Sequence, residues 1–164
     1  METIFNQKRT YNITGGGRMI FRDFHIYPMW KGCKRYTRRF WKTAHVKIGN
    51  WYPVTHKMFY APEDIVGEIY VEDIYRRSLG TMTENDAFLE GGYKLCEYQK
   101  TLEEITKKPW DAFAVPYVVK FRFVPADVLD PNGGQRDYNE YKRLYKQHMQ
   151  EIKEKCRLDF AIAK

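Results

Sequence analysis

Residues 32–39 read GCKRYTRR: a glycine opens the run, a threonine sits inside it, and four of the eight side chains are Lys or Arg. Glycine suits a turn. If a strand begins at Tyr36, the two-residue period sends Thr37 and Arg39 to one face and Tyr36 and Arg38 to the other. Lys34 then stands in the turn before the strand, so that an amine, a hydroxyl and a guanidinium converge. Like charges at Lys31, Arg35, Arg38 and Arg39 lower the basicity of Lys34, more so where water is excluded. A neutral amine beside a threonine hydroxyl is the pairing that makes that hydroxyl a nucleophile. The same spacing also describes four solvated cations beside an ordinary strand threonine, and the octapeptide alone does not separate the two.

Its surroundings are equally basic. Residues 1–58 hold twelve Lys and Arg against Glu2 and Asp23, a balance of +10, while the rest of the 164-residue chain stands at −3. Tyr11, Tyr27, Trp30, Tyr36, Phe40, Trp41 and Trp51 are interleaved with these cations. That mixture grips phosphates and stacks bases, although a basic face that only keeps a protein soluble has the same charge. Hydrophobic residues at 43% and aromatics at 16% fit one folded domain rather than a disordered chain. Cys33, Cys96 and Cys156 are odd in number, far apart and in no C-x-x-C pair. They predict neither a disulfide framework nor a cysteine-rich zinc site, and they suit a reducing cytoplasm. The four histidines show no ligand spacing, so no metal or cofactor is expected. The opening METIFNQKRTYN has no apolar signal core, and no apolar run approaches membrane-spanning length.

Along the chain, the glycines of ITGGGRM (13–19) predict a joint between a leader, 1–18, and a body, 19–124. They lack the Gly-Lys-Ser/Thr of a phosphate cradle. MIFRDFHIY (19–27) reads as an apolar strand or short helix ended by Pro28, and Gly49-Asn50 as a turn between strands. In DIVGEIYVEDIY (64–75), Ile65, Gly67, Ile69 and Val71 alternate with Glu68, Tyr70 and Glu72, a strand period. TENDAFLEGG (83–92) carries a helix start, with Thr83 as N-cap and Asp86 three residues on, and a stop at Gly91-Gly92. Glu90 falls at the end of that helix, where the dipole disfavours a carboxylate and a cation from the basic motif would offset it. A second helix follows, with Tyr98, Leu102 and Ile105 on one face, ending before Pro109. Tyr117, Val119, Phe121 and Phe123 mark a closing strand. Beyond DPNGG (130–134), Tyr138, Tyr141, Tyr145, Met149, Ile152 and Cys156 follow helical spacing. A long amphipathic helix is therefore expected over 136–157, within a linker and helical extension, 125–164. Its stripe is expected to pack on the parent domain, with a protein partner or self-association as the alternative. The whole predicts an α+β fold: a small, partly closed β-barrel flanked by short helices.

The two motifs together carry a resemblance. GCKRYTRR resembles the G-x-K-x-x-T/E-x-R signature of ASCH domains, a branch of the PUA-like superfamily. TENDAFLEGG is similar to that family's later threonine-led helix ending in glutamate, and the order of elements over 19–124 is similar too. Departures are the C-terminal helix, Gly49-Asn50 where the family often has Gly-Asp, and an entrance made more basic by the doubled Arg38-Arg39. The resemblance implies a β-barrel with a cleft for RNA or a modified nucleoside. Its small amidohydrolases, which deacylate acetylated cytidine, place their catalytic lysine, threonine and glutamate on Lys34, Thr37 and Glu90. The signature arginine falls on Arg39, expected to bind substrate or steady the glutamate, and the turn glycine on Gly32.

Three functions follow as expectations. The first is amide hydrolysis on a nucleoside base, with Thr37 attacking, Lys34 taking its proton, and Glu90 donating to the leaving amine or holding Lys34. The second is non-catalytic reading of RNA or a modified base, stacked on Tyr36 or Trp51 and gripped by Arg38 and Arg39. The third is a metal-independent ribonuclease using Lys34 and Glu90. No membrane partner is expected.

Overall fold

The computed structural model describes residues 18–59, 64–126 and 135–162, with the backbone alone for 135–137. The predicted glycine joint and the DPNGG turn lie outside the described residues, as does all of the leader except Arg18. The chain opens with β1 (Met19–Ile20), a 3₁₀ turn (Asp23–His25) and α1 (Ile26–Lys31). Pro28 does not end this segment. It sits in the first turn of α1, where its missing N–H has no intrahelical partner to lose. Then come β2 (Tyr36–Arg39), β3 (Trp51–Thr55), β4 (Gly67–Arg76), α2 (Glu84–Leu89), α3 (Leu95–Thr106), β5 (Tyr117–Pro125) and α4 (Gln135–Ile162).

The five described strands form one sheet in the order β1-β3-β4-β5-β2, parallel at β1–β3 and antiparallel elsewhere. It is a curled half-barrel, and with the helices the fold class is α+β. The long strands β4 and β5 form its backbone, with a bulge between Val71 and Asp73 that bends the pair. Ile69, Val71, Val119 and Phe121 face the core as the alternation predicts. Glu68, on the opposite face of the strand, is buried as well at 1% exposure, flanked across the ladder by Pro53 and Val124. Gly49 makes the expected turn with φ of 84°, but only the segment after it is a strand.

The α2 start is as predicted: Thr83 Oγ1 accepts from Asp86 N at 3.1 Å, and Asp86 Oδ2 from Thr83 N at 2.9 Å. α4 covers both halves of the core. Tyr141 joins Met19, Phe21, Ile69 and Phe121 beneath the sheet, while Met149 and Ile152 join Leu79, Tyr93, Tyr98 and Leu102. The stripe thus packs inward, as expected. Gly92, at φ of 82°, lets α4 approach: a Cβ there would meet the Tyr145 hydroxyl at 2.6 Å.

Two features of this docking were not anticipated. Cys96 of α3 and Cys156 of α4 pair as a disulfide, with Cα atoms 6.2 Å apart; Cys33 is free. The expectation of unpaired cysteines is therefore corrected, because α3 packs on α4 and closes a long sequence gap. His148 of α4 also stacks on Phe24 at 3.8 Å and meets the Tyr93 hydroxyl at 2.9 Å and Thr101 Oγ1 at 3.1 Å. No helix among the described residues is long and apolar enough to cross a membrane.

Candidate functional site

The octapeptide is fixed at both ends. Gly32 caps α1 in the left-handed region at φ of 81°, which a side chain would strain. Lys34 N then donates to Pro28 O at 3.0 Å and Arg35 N to Leu89 O at 2.8 Å. Lys34 and Glu90 form an isolated antiparallel bridge, so the turn before β2 is laced to the end of α2. β2 itself pairs with β5, Thr37 opposite Val119 and Arg38 opposite Val118.

That lacing buries a charged cluster. Lys34 and Glu90 are 2% and 1% exposed, Thr37 4% and Arg38 7%. Lys34 Nζ donates to Glu90 O at 2.7 Å, to Tyr36 O at 3.2 Å and to Glu90 Oε2 at 3.4 Å. Arg38 donates to Glu90 Oε1 at 2.5 Å. Arg38, and not Arg39, therefore steadies the glutamate. Both faces of β2 are covered, so each arginine is held: Arg39 Nε donates to Thr37 Oγ1 at 3.0 Å, and its guanidinium lies 4.7 Å from the Phe21 ring centre. Burial lowers Lys34 from 10.5 to about 8, against the pull of Glu90 and with help from Arg39 and Arg38.

The cluster opens on a pocket of about 490 Å³. Its walls come from Ile20 and Phe21 at β1 and from Lys34, Thr37, Arg38 and Arg39 at β2. These are the two border strands of the sheet, so the cavity lies where the half-barrel fails to close. Arg22, His25, Phe40, Tyr98 and Thr101 complete much of the lining, and none of these five was singled out from the sequence as a pocket residue. Helical spacing groups Tyr98 and Thr101 on one face of α3, but nothing local says that the face borders a cavity. His25 Nε2 meets the Tyr93 hydroxyl at 2.8 Å, and burial together with Lys34 holds it well below the ordinary histidine range. A neutral imidazole thus backs the pocket. Tyr98 is pushed well above 10 by burial and by Glu90, so it stays a neutral phenol.

The pocket brings together Lys34, Thr37, Glu90, Arg38 and Arg39, and leaves out three predicted residues. Gly32 shapes the turn without lining the cavity. Tyr36 and Trp51, expected as base-stacking platforms, are not in the lining either; Trp51 packs on Tyr70 at 5.1 Å. Phe21, Tyr98 and the half-exposed Phe40 are among the aromatic side chains that line the pocket instead. Among the described residues no group of three or more His, Cys, Asp or Glu is placed to hold a metal.

Fold and site together define an α+β half-barrel whose border strands enclose a buried lysine–glutamate–arginine cluster. Neither a protein-family model nor a curated protein matches the sequence. Two solved structures are similar in fold. One is an ASCH domain from Lactobacillus crispatus, 14% identical, TM-score 0.48, covering 59% of this chain and 68% of that one. The other is an Enterococcus faecalis protein described under the family model DUF984, also 14% identical, TM-score 0.46, covering 65% and 78%.

Proposed function

We propose that the pocket accepts a modified pyrimidine base, free or in single-stranded RNA, and hydrolyses an acyl amide on its exocyclic nitrogen. The observation that supports this most is the burial of Lys34, Thr37 and Glu90 at one 490 Å³ cavity, with the lysine lowered to about 8. The motif resemblance to the acetylcytidine amidohydrolases among ASCH proteins supports the choice of substrate.

In this reading neutral Lys34 removes the Thr37 hydroxyl proton as Oγ1 attacks the acyl carbon. Arg39, already bonded to Thr37, is the cation assigned to the developing oxyanion. The C–N bond then breaks, and the Lys34 ammonium returns the proton to the leaving amine, giving the free base and an acyl-threonine ester. Water hydrolyses the ester: Lys34 takes one water proton, returns it to Thr37 Oγ1, and the acyl group leaves as its acid. Glu90 accepts from Arg38 and Lys34 at once, a role that holds the lysine rather than one that protonates the amine.

One observation favours a second reading, a non-catalytic base reader. The three hydrogens of a charged Lys34 match three oxygens, two carbonyls and a carboxylate, which is how a structural ammonium is held. The two readings part on turnover of acetylated cytidine, followed by release of acetate. The hydrolytic reading expects turnover in the parent, lowered about 10²–10⁴-fold by Lys34→Met and abolished by Thr37→Ala. A parent that binds acetylated cytidine without turnover would leave the reader alone standing.

A further inference from the structure

The pocket's charges do not balance. Arg22, Lys34, Arg38 and Arg39 line it, and Glu90 is the one acid among the lining residues. Both oxygens of that carboxylate are already in use, Oε1 by Arg38 and Oε2 by Lys34. No ion pair involves Arg39 or Arg22 among the described residues. The Arg39 guanidinium is held from two sides, its Nε on Thr37 Oγ1 and its plane near Phe21. Its two terminal amino groups make no hydrogen bond with a described residue, and together they form the fork that fits two oxygens of one anion. Arg22 stands exposed at the mouth of the same pocket.

A second orphan lies deeper. Arg38 is 7% exposed, and its Nε is a buried donor without a hydrogen-bond partner. Such a donor is costly unless something else accepts from it. The Thr37 hydroxyl accepts from Arg39, and its own hydrogen remains to be donated. A neutral base would leave the Arg39 guanidinium without counter-charge in a partly apolar cavity, and Arg22 without one at its mouth. A carboxylate would satisfy one of them. A phosphate dianion carries enough charge and enough oxygens for Arg39 and Arg22 together, and a cleft of one sign concentrates such a ligand.

We infer that the pocket's ligand carries a phosphate, so that it is a nucleotide rather than a bare nucleoside, with the phosphate on the Arg39 fork and Arg22 at the mouth. This rests on the reading of the pocket as a base site. Burial lowers Arg39 to about 10, the direction expected of a guanidinium short of an anion.

Calorimetric titration of the intact protein with cytidine, its 5′- and 3′-monophosphates and inorganic phosphate tests the inference. One of the monophosphates is expected to bind at least tenfold more tightly than cytidine. Inorganic phosphate is expected to compete with it, and the advantage to shrink at high salt. Arg39→Gln should bring the ratio of monophosphate to cytidine affinity close to one. Arg22→Gln, at an exposed position that leaves the core untouched, should reduce the ratio severalfold. Equal affinities in the parent, an advantage that survives both substitutions, or no binding by any of the four ligands would overturn the inference. Phosphate binding lost in Arg39→Gln, with no cytidine binding in the parent, would uphold the anion site and remove the base reading instead.

Discussion

Glu90 closes α2 at the end where a helix dipole disfavours a carboxylate, and it is 1% exposed. Two buried cations hold it there, and it holds them. Glu90→Gln keeps the shape and removes the charge, leaving Lys34 and Arg38 uncompensated. Unfolding free energy from urea titration is expected to fall by about 3–5 kcal/mol; a loss below about 1 kcal/mol would show that the cluster stabilises little. Lys34 sets the pH response. Its folded value of about 8 lies below the 10.5 of an unfolded chain, so between these two values the unfolded state binds more protons. The contribution of Lys34 to stability is therefore most favourable above 10.5 and declines to a floor below about 8. Activity follows the same group. With a lysine base, kcat/KM for acetylated cytidine should rise about tenfold per pH unit below 8 and level off above it. A profile flat between pH 6 and 9 would exclude the lysine as the base.

At the scale of elements, α4 is joined to the pocket through His148, Tyr93 and His25. Burial lowers His148 from 6.5 to about 4 and holds His25 well below its ordinary value, with added effect from Lys34. Both fold as neutral rings, so the stability they contribute is full above pH 6.5 and is lost as pH falls, for His148 toward 4. The expected slope from His148 is about 1.4 kcal/mol per pH unit over that window, and His25 acts in the same direction. His148→Gln should make acid unfolding, followed by circular dichroism, visibly shallower. The helix itself was legible: a stripe from Tyr138 to Cys156 at spacings of three and four has one apolar face, and that face found the core. Its attachment was not. A histidine inside a polar-looking stretch gives no sign that Phe24 and Thr101, from distant segments, will close around it.

For the molecule as a whole, the disulfide joins residues separated by 60 positions, a span that encloses β5 and most of α4. In the chain-entropy account, a loop of that length restricts the unfolded state by about 4 kcal/mol. Reduction, or Cys156→Ser, should lower stability by up to that amount in thermal or urea unfolding; an unchanged midpoint would mean that the pair contributes nothing. The turn, the strand period and the helix end that carry Lys34, Thr37 and Glu90 are local signals, but the grouping of the three rested on the motif resemblance. Sequence reasoning missed Phe21, His25 and the pairing of Cys96 with Cys156, since these depend on which strands sit side by side and which helices touch. The resemblance offered Arg39 either to substrate or to Glu90, and it is Arg38 that bonds the glutamate; alternation alone does not say that both faces of β2 are covered.

The same sheet order explains why there is any cavity. β1 has two residues and β2 four, and they stand at opposite borders of the sheet with the pocket between them. Had either been extended until the two could zip together, the ladder would have sealed the opening, and a sturdier barrel would have had nowhere to put a guest. Lengthening these strands by design is thus expected to trade occupancy for robustness, and their brevity is the condition of having a site at all.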